Sequence, residues 1–72
     1  MSKFIIRTTR SDRQCSTVDN AYNDTEMEAA CRAALADIPR GVSASVLVFR
    51  GANVVRRITV KEDMSVTLKN YK

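Results

Sequence analysis

Histidine is absent from this chain, and with it goes the side chain that titrates nearest neutrality and the commonest metal ligand. Nucleophilic pairs that need an imidazole base, Cys-His or Ser-His, are therefore excluded. Only Gly41 and Gly51 are glycine, too few for a phosphate-cradling loop, whose converging backbone N–H groups require several glycines close together. Tryptophan is absent and only two Tyr and two Phe are present. The two cysteines, Cys15 and Cys31, have no second pair to complete a thiolate zinc cage. With no export signal and no disulfide-scaffold density, reduced thiols are expected. No apolar run approaches the roughly 18 residues of a membrane span, and Phe4-Ile5-Ile6 falls short of the roughly 7 to 15 of a secretory signal. These absences point to a cytoplasmic protein with no membrane partner, no metal and no cofactor.

What is present is a single domain of 72 residues, 44% hydrophobic and 28% charged. That composition suits a folded core, although a chain this short buries only about 60% of the surface its unfolded form exposes. The charge is unevenly laid out. Residues 19 to 38 hold Asp19, Asp24, Glu26, Glu28 and Asp37 against Arg32 alone, a sum of −4. The remainder holds eleven bases and three acids, a sum of +8, which restores the net +4.

Met27, Ala30, Cys31, Ala34, Leu35 and Ile38 recur at helical spacing as one apolar stripe, predicting a helix of about 14 residues. Thr25 with Glu28 fits a capping box, with Asp24 and Asn23 as rival caps, and Pro39 and Gly41 supply the stop and the exit. Cys31 on this stripe reads as a small core residue. On either side of the helix the period changes to two. A first strand is expected over residues 3 to 9, with Phe4 and Ile6 on one face, and a short second strand over 14 to 18. After the helix, residues 43 to 50 and 54 to 61 flank Gly51-Ala52-Asn53 as a hairpin, and Met64, Val66 and Leu68 alternate with Ser65, Thr67 and Lys69. The sum is an α+β fold of order β(β)αβββ, a two-layer sandwich with one helix on one face of an antiparallel sheet of four or five strands.

Carboxylates cluster at Asp24, Glu26 and Glu28 and at Glu62-Asp63, but helix capping explains the first set and a turn the second. Catalysis needs carboxylates held in a cleft, so no catalytic residue is assigned and a non-enzymatic protein is expected. If Phe4, Ile6, Met64, Val66 and Leu68 point at the helix, the opposite face carries Lys3, Arg7, Arg57, Thr59, Lys61, Ser65, Thr67 and Lys69. Such a face can contact phosphates through charge and hydroxyls, or simply solvate an exposed sheet. The candidate binding residues are Arg7, Arg50, Arg56, Arg57, Lys61 and Lys69. With Tyr22 and Tyr71 outside the expected strands, the face offers few rings for stacking bases. Val46-Leu47-Val48-Phe49 is apolar on both faces, which implies either a partner or second copy over the outer side, or shielding by arginine stems. Leu47, Phe49 and Val55 are the candidate interface. One of Arg56 and Arg57 must interrupt an apolar row.

A short first strand, one acidic amphipathic helix and a three-stranded meander within about 70 residues resemble the layout of small stand-alone phage accessory proteins, some anti-CRISPR inhibitors among them. The strand-helix order is also similar to double-stranded RNA-binding and toxin-type modules, which the lack of histidine and of a basic helix N-terminus disfavours. The first resemblance implies an interaction protein that binds or inhibits a host protein or nucleoprotein complex, with a homodimer as one form. The alternative is a nucleic-acid-binding module that uses the basic sheet face.

Overall fold

A computed structural model describes residues 3–71. The order is β1 (Phe4–Arg10), β2 (Thr17–Ala21), α1 (Asp24–Ala36), β3 (Ala44–Arg50), β4 (Asn53–Val60) and β5 (Val66–Asn70). The strands form one antiparallel sheet in the order β2-β1-β3-β4-β5. This is the expected α+β architecture, with all five strands formed. β3 lies at the centre, which is why its run of apolar residues is the longest.

Strand alternation sorts the side chains onto two faces. Toward the helix point Phe4 and Ile6 of β1, Val46 and Val48 of β3, and Ile58 of β4, which meet Ala21, Met27 and Cys31 in the main core cluster. A second cluster of Ile38, Ala44 and Val60 closes the end below the helix, with Leu35 packed against both clusters. The Cys31 thiol is buried, 3.9 Å from the Met27 sulfur, and burial raises its pKa; Cys15 is exposed and also free. No helix is long and apolar enough to cross a membrane among the described residues.

Three expectations need correction. The second strand lies at Thr17–Ala21 rather than over 14 to 18. Its only fully buried side chain, Ala21, is in register with Phe4 and sets the pairing, whereas the stretch from Gln14 to Val18 has too little apolar character to choose a register. Asn23 caps the helix, not Thr25: its Oδ1 accepts from the Glu26 N–H at 2.8 Å, and Glu26 Oε1 accepts from the Tyr22 N–H at 3.1 Å. The arrangement is a variant of the capping box shifted by two residues, in which Glu26 reaches the N–H one residue before the cap rather than that of the cap itself. Finally, Met64, Val66 and Leu68 are exposed, by 42%, 56% and 52%. Val66 and Leu68 do stand on the helix side, opposite the buried Val60 and Ile58, but α1 packs on β1 and β2 and leaves β5 uncovered. Met64 precedes β5 in the turn, at φ 71°.

Two arginines on the helix side tie the layers together. Arg10, nearly buried, donates from Nε and Nη2 to both oxygens of Asp12 at 2.8 and 2.6 Å, and from Nη1 to the Asp37 carbonyl at 3.2 Å and carboxylate at 3.3 Å. The last helical turn carries no base of its own. Arg10 thus supplies from the sheet the positive charge that the helix C-terminus favours. Arg56 donates to Glu28 at 2.6 Å, to Asn70 at 2.9 Å and to the Met27 sulfur at 3.6 Å.

The hydrogen bonds from Arg10 hold the Asp12 carboxyl below its ordinary pKa. A depressed carboxylate pKa stabilises the fold above the unfolded value and loses that contribution as pH falls through the folded one. Asp12→Asn should therefore melt lower than the wild type by a constant margin above about pH 5, and the margin should shrink below about pH 4. Thermal melts at pH 7, 5 and 3 check this.

Candidate binding face of the sheet

The outer face of the sheet, turned away from α1, is organised in rows by the strand register. One row runs Val18, Arg7, Leu47, Arg57, Lys69 from β2 to β5. Neighbouring strands lie about 4.8 Å apart, so these five residues cross the sheet in about 19 Å. The next row is hydroxylic, with Thr9, Ser45, Thr59 and Thr67 in successive register, and Ser16 joins it through a 2.9 Å hydrogen bond to Thr9. On the other side of the basic row lie Asn20, Ile5, Phe49 and Val54. Among the described residues, no acid stands in these rows.

Beyond the hydroxyl row the sheet ends in an open basin of about 720 Å³, lined in part by Ser11, Ser43, Ser45, Thr59, Lys61 and Asp63. Glu62 and Asp63 are the acids of this rim; the exposed Asp63 carboxylate accepts from the Ser65 hydroxyl at 2.7 Å and N–H at 3.0 Å, and the hydroxyl bond in particular lowers its pKa. It shapes the turn before β5 as an Asx turn does. Among the described residues, no three Cys, Asp or Glu side chains group to hold a metal ion.

The candidate residues named from sequence divide accordingly. Arg7, Arg57 and Lys69 come together in the basic row, and Lys61 stands at the rim of the basin. Arg56 lies on the other face, committed to Glu28 and Asn70, so it is the arginine that interrupts the apolar row. Arg50 stands at the hairpin end of β3, in register with Phe4 rather than with the basic row. Leu47 and Phe49 are half-buried at the centre of the outer face, and the Arg7 guanidinium lies 5.0 Å from the Phe49 ring centre. Arginine thus covers part of the strand's outer side, at Phe49. Val55 faces elsewhere: the register shift between β3 and β4 leaves it without a partner on β3, and it packs against the helix-side core.

Sequence reasoning undervalued three residues. Lys3 Nζ lies 6.0 Å from the Tyr22 ring centre, and Lys69 Nζ lies 5.2 Å from that of Tyr71. Lys3 and Lys69 both have outer-face parity, so their contacts place the two tyrosines on that face as well. The parity itself was a readable signal, because Tyr22 follows the inward Ala21 and Tyr71 lies two residues beyond Lys69. Comparison with protein-family models, with curated proteins and with solved structures returns no match for the chain.

Arg57 and Lys69 are directly opposite one another. Like charges so placed are destabilising, by up to about 1 kcal/mol. Lys69→Glu should therefore stabilise the isolated protein by about 0.5 kcal/mol, a rise in melting temperature of about 2–4 °C, which calorimetry resolves. An unchanged or lowered melting temperature contradicts the cost assigned to this pair.

Proposed function

We propose that this chain is a small non-enzymatic interaction protein that docks an anionic macromolecular surface, of the kind a nucleoprotein complex presents, on the outer face of its sheet. The observation that carries this reading is the basic row of Arg7, Arg57 and Lys69, set beside a hydroxyl row, with no acid in either row among the described residues. Lys3, Arg7, Arg57 and Lys69 enter no ion pair with the described residues, whereas Arg10 and Arg56 on the helix side are both paired. Guanidinium and ammonium donors together with hydroxyls are the groups that contact phosphate and carboxylate oxygens. The opposed Arg57 and Lys69 fit the same reading, since sites built for a partner commonly cost the free protein stability. An interaction role of this kind also agrees with the layout's resemblance to small phage accessory proteins.

Retention on immobilised heparin, used as a polyanion probe, tests it. Arg57→Glu combined with Lys69→Glu should elute at markedly lower salt than the wild type. Arg32→Glu combined with Arg40→Glu makes the same change in net charge at exposed positions on the helix and in the loop after it, and should shift elution far less. Equal shifts for the two pairs mean that retention reads net charge alone, and the reading fails.

A further inference from the structure

The three aromatic rings outside the helix-side core share one arrangement. Each carries a cation: Lys3 at Tyr22, Arg7 at Phe49 and Lys69 at Tyr71. Tyr22 lies at the end of β2, Phe49 on the central β3, and Tyr71 at the end of β5, where its N–H donates to the Val55 carbonyl at 2.9 Å. The rings are thus two strands apart in turn, about 10 Å by strand spacing. All three lie toward the same end of the sheet, because Phe49 is in register with Ile5 near the start of β1, beside which Tyr22 follows Ala21, and Tyr71 follows Asn70 at the close of β5. The basic row runs alongside them.

We infer that the outer face is a stacking platform for single-stranded nucleic acid laid across the strands. Bases would stack on Tyr22, Phe49 and Tyr71 while phosphates pair with Lys3, Arg7, Arg57 and Lys69. The inference rests on the reading of this face as an anion-binding plate and adds the ligand to it. Charge alone suits any polyanion, but rings alternating with cations match a strand in which π-faces alternate with phosphates. In a duplex the base faces are already stacked on one another and the rings would have nothing to hold. An acidic protein surface offers carboxylates but no such succession of planes. A cation–ring contact at an exposed site is weaker than a stacked base. An arriving base therefore displaces the ammonium or guanidinium, which is then released toward the adjoining phosphate. The hydroxyls of Thr9, Ser45, Thr59 and Thr67 add neutral donors beside the basic row. A platform about 19 Å wide matches a site of roughly four nucleotides, the lower end for single-strand binders.

Because the chain has two tyrosines and no tryptophan, and both tyrosines are in the proposed site, intrinsic fluorescence reads stacking directly. The intact protein is titrated with 12-nucleotide oligo(dT) and, separately, oligo(U), with a 12-base-pair duplex and with heparin. Both single strands should quench tyrosine emission, and oligo(dU) set beside oligo(U) identifies the preferred sugar. The affinity should fall with salt at a logarithmic slope of about −3 for four phosphate contacts, and the duplex should bind more weakly. Tyr22→Ala and Tyr71→Ala should each lose roughly 5- to 100-fold in affinity for the single strand, read by competition, while leaving heparin retention unchanged. Both tyrosines are at least partly exposed, Tyr22 by 53%, so circular dichroism melts near the wild type should accompany these losses. Wild-type affinity in both tyrosine variants, or equal affinity for duplex and single strand, overturns the platform while face-dependent heparin retention keeps the anion-binding plate. Loss of that face dependence removes both.

Discussion

One helix can cover only part of a five-stranded sheet, and most of the molecule's character follows from that mismatch. Thirteen residues make a helix about 20 Å long and about 10 Å across, whereas five strands at about 4.8 Å span about 19 Å. Seated on β1 and β2, α1 can bury Phe4, Ile6 and Ala21, and through Met27 and Cys31 it reaches Val46, Val48 and Ile58. It cannot reach β5. The fold therefore closes its core on one side of the central strands only. Arg56 bridges the gap at the helix margin by reaching Glu28. The entire outer face is left to be explained by something other than packing within the chain.

How much of this could be read in advance depended on which physical signal governed each element. Period-two alternation assigned the correct inward phase to Phe4 and Ile6, and the phase of Val66 and Leu68 was correct too, yet those two residues are exposed. Alternation reports which side a residue is on and not whether anything lies above it. The position of β2 was misjudged because one valine among five residues cannot hold a register; the anchor is Ala21, whose small side chain gives little signal until it is seen opposite Phe4. At Arg56 and Arg57 the sequence showed that one arginine breaks an apolar row. Choosing Arg56 required knowing that Glu28 lies across from it on the helix.

The candidate face was legible in its charge and not in its rings. Arg7, Arg57 and Lys69 alternate in phase with outward neighbours, so their shared face followed from strand periodicity. Their alignment into one row did not, because register between strands is set by turn lengths and by the irregularity between β3 and β4. Tyr22 and Tyr71 fall immediately outside the regular strands, where periodicity arguments lapse. The contacts with Lys3 and Lys69 show that the alternation continues one residue past the strand ends at Ala21 and Asn70.

The segregation of charge has an electrostatic consequence that net charge conceals. Asp24, Glu26 and Glu28 belong to the helix layer, and packed layers are separated by about 10 Å. That separation is already about one Debye length at 0.1 M salt, and acids on the solvent side of α1 lie farther still from the outer bases. The helix carboxylates therefore do little to neutralise Arg7, Arg57 and Lys69 at physiological ionic strength. On the helix side the sheet's arginines are already paired, Arg56 with Glu28 and Arg10 with Asp12 and Asp37. An anionic partner approaching the sheet meets a field more positive than a net charge of +4 spread over the whole surface would produce, and one approaching the helix meets a negative one. Such a field orients the partner before contact and raises the rate of productive encounter, most of all at low salt. In the proposed reading, the rows of the outer face then decide which anion stays.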